Sequence, residues 1–379
     1  MNFKNILINN LKNLPGWKTR RKILVIESDD WGSVRMPSKK TYDNLLKKGI
    51  KVDDDVYSRY DSLACEDDLI FLFDTLSKYK DKNGNSPIIT ANVILANPDF
   101  EAIRSSNFET YQYELFIETL KSYPKHSKSF SLWQEGIGNK LFHPQLHGRE
   151  HLNVIKWMNS LNKGNPDLLL AFDNKMLTVP SIAAPDNMNA FLDAYEFDSQ
   201  WELQTHAEII GDAAKLFKDV FGFISKSIIA PCYIWSQKHE QFFKDNDIEY
   251  IQGFSLQYEP LPIKGTLKYR KRFHYTGEKN HLNQRYLIRN VFFEPSQNPS
   301  LDTVNDCFNK IETAFRWYKP AIMSSHRVNF IGFIDPPNRD RNLKLLKQLL
   351  SEIVKKWPDV EFMSSDQLGD LMSGTTERR

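Results

Sequence analysis

The chain has 379 residues, of which 41% are hydrophobic and 26% charged, a composition typical of a folded globular protein and not of a disordered, fibrous or membrane-bundle chain. Fifty Lys and Arg residues against 48 Asp and Glu residues leave a formal net charge of +2, so no global field favours nucleic acid as a partner. Three widely separated cysteines indicate neither a disulfide framework nor a thiolate zinc site.

The first twenty residues (1–20) predict an amphipathic helical segment. From Phe3 to Trp17, apolar residues recur at helical spacing with lysines around them. One interpretation is a helix that makes a peripheral contact with an anionic membrane surface, and the other is a helix packed over one end of the domain. Asn9 and Asn10 interrupt the apolar stretch, which is therefore not typical of a signal peptide, and no apolar run approaches the roughly 18 residues of a membrane span. We therefore expect a cytoplasmic protein.

Between residues 21 and 372, apolar runs typical of buried strands alternate with helical patterns. The runs are Ile23–Ile26, Ile88–Leu95, Leu168–Phe172, Ser227–Ala230, Ile248–Ile251, Tyr286–Phe293, Ala321–Met323 and Val360–Met363. Helices are predicted at Ser38–Leu46, at His206–Val220, after the N-cap Ser236 and at Leu301–Tyr318. This alternation predicts an α/β fold with a mostly parallel sheet, and about eight strands favour one barrel domain over two domains. The tail at 373–379 is predicted to be disordered.

A basic segment near 255–285 stands apart from this pattern. Its cations are Lys264, Lys268, Arg270, Lys271, Arg272, Lys279 and Arg285. It is interpreted either as an insertion that forms a lid over an anionic substrate or as a solvated surface.

The first candidate site residues follow the first strand, where Asp29 and Asp30 come directly after the apolar run. In a parallel barrel, chemistry belongs at the carboxyl ends of the strands. Adjacent side chains of an extended chain point to different sides, so the two carboxylates are able to hold different roles in one site. The alternative is that the pair caps a helix.

Histidines cluster at a second predicted strand end. Period two places His143, Gln145 and His147 on one face of a strand, and Gly148 permits a turn toward His151. Three of the chain's nine histidines lie within nine positions, which favours a metal site over structural imidazoles. Neutral imidazoles suit zinc, iron, nickel or cobalt.

Two further strand ends carry candidate groups. Ala321–Met323 leads to His326, and Ser227–Ala230 leads to Pro231 and Cys232. Pro231 fixes a turn that is able to aim the next backbone N–H inward. Cys232 has no activating neighbour in sequence, so we interpret it as a packed residue and not as a nucleophile.

These motifs, in this order, resemble the polysaccharide deacetylase family. The pattern consists of Asp29-Asp30, His147-x-x-x-His151, the proline-containing strand end and Ser325-His326, and it extends from about Arg21 to Leu368. The resemblance implies a NodB-like fold, a distorted (β/α)7–8 barrel. It also implies a metal-dependent hydrolase that removes an acetyl group, N-acetyl first, from a sugar or polysaccharide.

The resemblance also implies a role for each motif residue. Asp29 is the general base and His326 the general acid. Asp30, His147 and His151 hold one divalent ion, for which zinc is the first candidate and other transition metals remain open. The backbone N–H of Cys232 helps to hold the oxyanion.

Residues bordering the motifs are predicted substrate contacts, namely His143, Trp31 and Arg149. His143 and His147 have the same spacing as the chosen histidine pair, but the later pair fits the family pattern better. The expected partner is a carbohydrate, with anionic or lipid-linked forms left open.

Three departures from the family pattern set this sequence apart. Trp31 separates the aspartates from Gly32, where the family has glycine directly after them. Ile229 stands where the family has an arginine two residues before the proline, so another residue has to orient Asp29. The family's remaining motif has no clear counterpart, and Arg289 and Glu294 are only candidates.

Other functions remain open from the sequence alone. A glycoside hydrolase on a related barrel needs a second carboxylate beside Asp29, for which Glu135 and Glu294 are candidates. A sugar-binding relative without catalysis is another alternative. An iron oxygenase is disfavoured because its histidine–carboxylate ligand pair is normally closer in sequence.

Overall fold

The computed structural model describes residues 3–180, 191–263 and 266–374. The predicted disordered tail lies largely outside these described residues, and so does Lys264 of the basic segment.

The strands of the described chain are β1 (Lys22–Trp31), β2 (Ile89–Ile94), β3 (Ala96–Pro98), β4 (Tyr113–Leu115), β5 (Phe142–Gly148), β6 (Ser227–Ile229), β7 (Tyr250–Gly253), β8 (Leu256–Ile263), β9 (Thr266–Phe273), β10 (Arg285–Ile288), β11 (Val291–Phe292), β12 (Ala321–His326) and β13 (Val360–Met363).

The α-helices are α1 (Phe3–Lys12), α2 (Lys39–Lys47), α3 (Val56–Tyr60), α4 (Glu66–Ser77), α5 (Phe100–Ser105), α6 (Phe116–Ser122), α7 (Ser129–Gly138), α8 (Val154–Asn162), α9 (Pro166–Asp173), α10 (Gln200–Phe221), α11 (Gln237–Asp245), α12 (Thr303–Arg316), α13 (Pro336–Lys356) and α14 (Ser365–Ser373). Short 3₁₀ turns follow β6 and β12 at Pro231–Tyr233 and Arg327–Asn329.

Eight of these strands form a parallel, curled sheet in the order β10-β7-β6-β5-β2-β1-β12-β11. The additional strand β13 pairs in parallel with the beginning of β1. Within the described chain β10 and β11 are the two edges, so the sheet is a half-barrel surrounded by helices. The predicted distorted (β/α) barrel is therefore confirmed. Because the strands run in parallel, the carboxyl ends of β1, β5, β6 and β12 lie at the same end of the sheet, where the candidate catalytic and metal-binding residues meet.

One predicted strand is wrong. Leu168–Phe172 lies inside α9, which begins with Pro166 at its first turn and with the Asn165 side chain accepting a hydrogen bond from the Leu168 N–H. A short apolar run is compatible with either a buried strand or a buried helix, and here the start signals of a helix decide.

The predicted strand Tyr286–Phe293 is divided in two. The backbone N–H of Arg289 bonds to Gly253 O of β7, whereas that of Asn290 bonds to Ile322 O of β12. The chain therefore crosses at this point from the β7 side to the β12 side of the half-barrel. This crossing places the Arg289 side chain inside the curled sheet, where it is fully buried.

The N-terminal helix α1 packs against α12 at one side of the barrel. No helix among the described residues is long and apolar enough to cross a membrane.

The basic segment forms an antiparallel hairpin of β8 and β9, separate from the main sheet. Arg272 of β9 donates to Glu259 of β8, and Tyr269 donates to Glu196. None of the described cations of this segment lines the cavity in which the candidate site residues meet.

Candidate metal centre and catalytic cavity

The end of β1 carries both aspartates into the same cavity because the strand bulges there. The pairing of β1 with β2 shifts register between Ser28 and Trp31, and Asp30 adopts φ +72°, a left-handed conformation that costs a non-glycine residue free energy. Gly32 follows with φ +89°, and a Cβ there would lie 2.2 Å from Ile94 O. Glycine is therefore required for the turn that ends this strand.

Asp30, His147 and His151 form a buried cluster whose potential ligand atoms all lie within 4.8 Å of one another. The Oδ1 atom of Asp30 is 3.4 Å from Nε2 of His147 and 3.4 Å from Nε2 of His151. His147 is on β5, and the turn that begins at Gly148 (φ +122°) brings His151 back toward it. The structure thus brings together the three residues that the sequence assigned to a metal.

Hydrogen bonding of His147 leaves one of its nitrogens available. Its Nδ1–H donates to Ile229 O at 2.8 Å, so a neutral ring carries no proton on Nε2. That Nε2 atom is buried without a hydrogen-bond partner among the described residues, and it faces the Asp30 carboxylate. A lone pair and a carboxylate oxygen 3.4 Å apart suit a shared cation, and a two-imidazole, one-carboxylate set is typical of divalent transition metals.

The charge state of the cluster also fits a metal ligand set. Burial lowers the pKa of His151 to about 3, helped by the Arg35 cation, so its imidazole is neutral. Burial alone would raise the pKa of Asp30, but the surrounding groups, the Arg35 cation first among them, hold that pKa well below its usual range. Arg35 donates to the other Asp30 oxygen at 3.2 Å, which leaves Oδ1 to the histidines.

Asp29 is held by a buried arginine from a distant part of the chain. Arg289 donates from Nη1 and Nη2 to the two carboxylate oxygens, each at 2.7 Å, and Asn92 Nδ2 donates to Oδ1 at 2.7 Å. Burial opposes the ionised form, but Arg289 outweighs it and lowers the pKa of Asp29 to about 2. Arg289 thus orients Asp29. Ile229 has no charged group that could do so.

The same guanidinium also pairs with Glu27, two residues before Asp29. Its Nε donates to Glu27 at 2.6 Å, and Ser365 donates to the other Glu27 oxygen at 2.7 Å. Burial raises the pKa of Glu27, and Arg289 acts against this shift. Glu27 fixes Arg289, and Arg289 fixes Asp29.

His326 lies beside Asp29, with its Nε2 3.8 Å from the Asp29 Oδ2 atom. Its Nδ1–H donates to Glu294 at 2.6 Å. Burial would lower the pKa of His326, but the Glu294 carboxylate outweighs it and raises that pKa to about 9. The ring is therefore protonated at neutral pH.

These groups share one cavity of about 570 Å³. Besides Asp29, Asp30, His147, His151 and His326, its wall consists of Arg35, Tyr57, Leu192, Ala230, Cys232, Tyr233, Phe254, Phe292, Glu294, Gln297 and Ser324. The volume is typical of small-molecule sites, and the wall combines aromatic rings with a few charged groups.

Cys232 lies in the cavity wall with φ +55°. Burial raises the pKa of its thiol well above the usual range, so the thiol is not activated as a nucleophile. The role predicted for its backbone N–H stays a prediction.

Trp31 is a core residue and does not line the cavity, so its prediction as a substrate contact is wrong. It packs edge-on against Trp133 and Phe142, and its Nε1–H donates to Ser28 Oγ at 2.9 Å. The bulge that directs Asp29 and Asp30 into the cavity leaves the next side chain on the helix-covered face of the sheet.

His143 and Arg149 also lie outside the cavity wall, contrary to prediction. His143 is at the beginning of β5, where its Nε2 is 3.0 Å from Asp366 of α14. Four residues of strand, about 13 Å, separate it from His147. Arg149 donates to Glu150 at 2.7 Å and to Asp212 at 2.9 Å, and these bonds hold it away from the site.

Sequence reasoning missed Glu27, Arg35, Asn92 and Tyr57. Two of them had a signal in the sequence, because Glu27 interrupts an apolar strand two residues before Asp29 and Asn92 interrupts Ile88–Leu95. Polar residues inside otherwise apolar strands indicate buried hydrogen-bond networks. Arg35 and Tyr57 lie in loop and short-helix segments after β1, where no pattern marks them.

No protein-family model matches the chain, and no curated protein matches it. Solved structures of similar fold include one described as a polysaccharide deacetylase from Mycobacterium smegmatis, with 10% identity, 95% of this chain and 93% of that chain covered, and a TM-score of 0.45. Another of that description, from Pseudomonas aeruginosa, has 10% identity, coverages of 95% and 93% and a TM-score of 0.42. A 4-alpha-glucanotransferase from Thermococcus litoralis has 8% identity and a TM-score of 0.44, with 94% of this chain and 41% of that chain covered.

Proposed function

We propose that the protein is a metal-dependent hydrolase that removes an acetyl group from a carbohydrate, and that the group is N-linked. The observation that carries the proposal is the available Nε2 of buried His147 facing Asp30 and His151, in the same cavity as Asp29 and protonated His326. A divalent ion held by the three residues would lower the pKa of a bound water and polarise an acyl carbonyl.

His326 supplies the proton for the leaving group. Its pKa of about 9 keeps it protonated at neutral pH, and its Nε2 lies 3.8 Å from Asp29 Oδ2 in the cavity wall while Nδ1–H stays on Glu294. The nitrogen of an amide leaves an acyl centre only when it receives a proton. The oxygen of a sugar ester depends less on protonation to leave. A protonated imidazole is therefore a reason to propose an amide substrate before an ester.

Asp29 is ionised at neutral pH and accepts hydrogen bonds. Arg289 and Asn92 fix its carboxylate in one orientation, so the lone pairs that remain point to a defined place beside His326. An attacking water at that place donates to Asp29 and loses its proton toward it. Because the pKa of Asp29 is low, its carboxylate is a weak base. The main contribution of Asp29 is therefore to hold the water in the attacking geometry.

The cavity wall suits a sugar ring. Tyr57, Tyr233, Phe254 and Phe292 offer flat apolar faces, and aromatic rings commonly stack on the apolar faces of sugars. The carbohydrate class itself comes from the motif resemblance.

Glycosidic cleavage is less well supported. Of the two candidate second acids, Glu135 lies outside the cavity wall. Glu294 lines the cavity, but its oxygens accept from His326 and from Asn329 at 2.7 Å. A carboxylate committed to two donors is poorly placed to protonate a glycosidic oxygen.

The test measures metal content and acetate release together for wild type, Asp30→Ala and His147→Ala. Substrates are N-acetylglucosamine oligomers, with an O-acetylated xylan as the ester comparison. His143→Ala is the matched control. This histidine is on β5, as His147 is, and precedes His147 by the same four residues that separate His147 from His151, but it lies outside the cavity wall.

We expect wild type and His143→Ala to hold about one equivalent of metal and to release acetate from the N-acetylated sugars. Both site variants should lose metal and activity. Full metal content and activity in His147→Ala would refute the ligand assignment. The proposed deacetylation would be refuted if wild type retained metal but released acetate from neither substrate. It would also be refuted if wild type shortened the oligomers.

A further inference from the structure

The described apolar side chains of α1 and of the turn after it lie toward solvent, whereas a polar side chain of the same segment is buried against the protein. Leu7, Leu11 and Leu14 are 50%, 52% and 43% exposed, whereas Asn13 is only 4% exposed. A helix packed on a globular protein normally has the opposite arrangement. Ile8, beside this row and 38% exposed, widens the apolar surface.

Polar contacts fix this orientation. Trp317 Nε1–H donates to Asn10 Oδ1 at 2.7 Å, and Asn290 Nδ2–H donates to Asn13 Oδ1 at 3.0 Å. Buried Lys319 donates to three carbonyls of the turn after the helix, those of Pro15, Gly16 and Trp17. Rotating the helix to bury its leucines would break these bonds, so the leucines stay outward.

The segment of sequence that carries this apolar surface has only positive charges. Residues 1–26 contain Lys4, Lys12, Lys18, Arg20, Arg21 and Lys22 and no acidic residue, although the whole chain has a formal charge of only +2. The rest of the chain is therefore net acidic. Arg21 and Lys22 pair with Glu361 and Asp359. Lys18 and Arg20 are exposed, and neither takes part in an ion pair with another described residue.

We propose that α1 and the turn after it, residues 7–20, form a docking face for an anionic lipid bilayer. An exposed apolar row flanked by cations is the pattern by which short helices lie in the headgroup region. Insertion removes Leu7, Leu11 and Leu14 from water, and Lys18 and Arg20 meet anionic headgroups. Four apolar side chains give reversible, peripheral binding.

The docking face is close to the catalytic cavity. The Lys12 Nζ atom of α1 lies 5.9 Å from the centre of the Phe292 ring, which is part of the cavity wall. A bilayer bound at α1 is therefore near one wall of the site. Docking itself does not depend on the proposed deacetylase function, and the two proposals can fail separately.

The experiment is co-sedimentation of the full chain with phosphatidylcholine vesicles, and with vesicles of equal parts phosphatidylcholine and phosphatidylglycerol. The test variant is Leu7→Ser/Leu11→Ser. Its matched control is Ile70→Ser/Leu301→Ser, which removes two apolar side chains of similar exposure, 48% and 46%, elsewhere on the surface. Circular dichroism and metal content verify that every variant is folded.

Wild type and control should sediment with the anionic vesicles, and Leu7→Ser/Leu11→Ser should lose about tenfold in partitioning. Lys18→Gln/Arg20→Gln should lose the preference for phosphatidylglycerol, and added salt should weaken wild-type binding in the same way. Equal sedimentation of wild type and Leu7→Ser/Leu11→Ser would overturn the proposal. A wild-type dimer in analytical ultracentrifugation that the same variant converts to monomer would also overturn it, because the face would then bind a second copy of the chain.

Discussion

Arg289 and Asp29, 260 residues apart in sequence, form a two-pronged ion pair with both N–O distances at 2.7 Å inside the half-barrel. Each side chain is almost completely inaccessible to water. A guanidinium fork defines the plane of a carboxylate, which a point charge does not. The orientation of Asp29 therefore depends on the shape of Arg289 as well as on its charge.

The first prediction is that Arg289→Lys lowers kcat by about 10²-fold with metal content unchanged, because lysine keeps the charge but not the two parallel bonds. Arg289→Ala should also lower the free energy of unfolding by about 3–5 kcal/mol, since it leaves Glu27 and Asp29 buried without their partner. Steady-state kinetics and urea unfolding measure the two effects. Arg339→Lys is the control, because its ion pair with Asp68 is buried away from the cavity. Wild-type kcat in Arg289→Lys would contradict the orienting role.

The second prediction concerns pH. In the proposed function His326 acts as an acid while it is protonated, so activity should fall as the pH rises through its pKa of about 9. Glu294 raises that pKa, and its removal in Glu294→Gln should move the basic limb of the pH–kcat profile down toward the ordinary value of 6.5. The amide keeps nearly the same shape, which preserves packing. A basic limb that stays near pH 9 in Glu294→Gln would show that another group is the acid.

The position of the site could be predicted from the sequence because its residues follow the carboxyl ends of parallel strands. Once β1, β5 and β12 are parallel strands of one curled sheet, their carboxyl ends must lie at the same end of that sheet, and Asp30, His147 and His326 with them. The histidine pair could be chosen from sequence only by resemblance, since His143 has the same spacing. The distance along β5 separates His143 from the site, and spacing alone does not show which residue ends the strand.

Arg289 could not be assigned from the sequence for a different reason. Its position follows from the crossing of the chain between β10 and β11, which interrupts what looks like one continuous strand. Without the order of strands in the sheet, nothing indicates that residue 289 faces residue 29. Trp31 was misassigned because a place beside a motif in sequence does not show where the side chain lies, and the bulge at Asp30 separates it from the two aspartates.

The third prediction tests the corrected role of Trp31. Trp31→Ala should lower the free energy of unfolding by about 3–5 kcal/mol, because it leaves a cavity between Trp133 and Phe142. KM for an N-acetylated oligomer should remain within about twofold of wild type, measured at a temperature where the variant is folded. A large rise in KM with little loss of stability would restore the substrate contact that the sequence predicted.

The fourth prediction is that the metal stabilises the fold independently of catalysis. Asp30, His147 and His151 come from β1, β5 and the turn after β5, and an unfolded chain does not hold them together, so binding favours the native state. Metal at a hundredfold excess over its Kd adds about 2.7 kcal/mol to the free energy of unfolding. Treatment with a chelator should lower the Tm of wild type, and zinc or cobalt should restore it. Asp30→Ala should have the same Tm with chelator and with metal, whereas His143→Ala should respond as wild type does. A wild-type Tm that is insensitive to both chelator and added metal would remove the metal from this site and leave the orphaned Nε2 of His147 without an explanation.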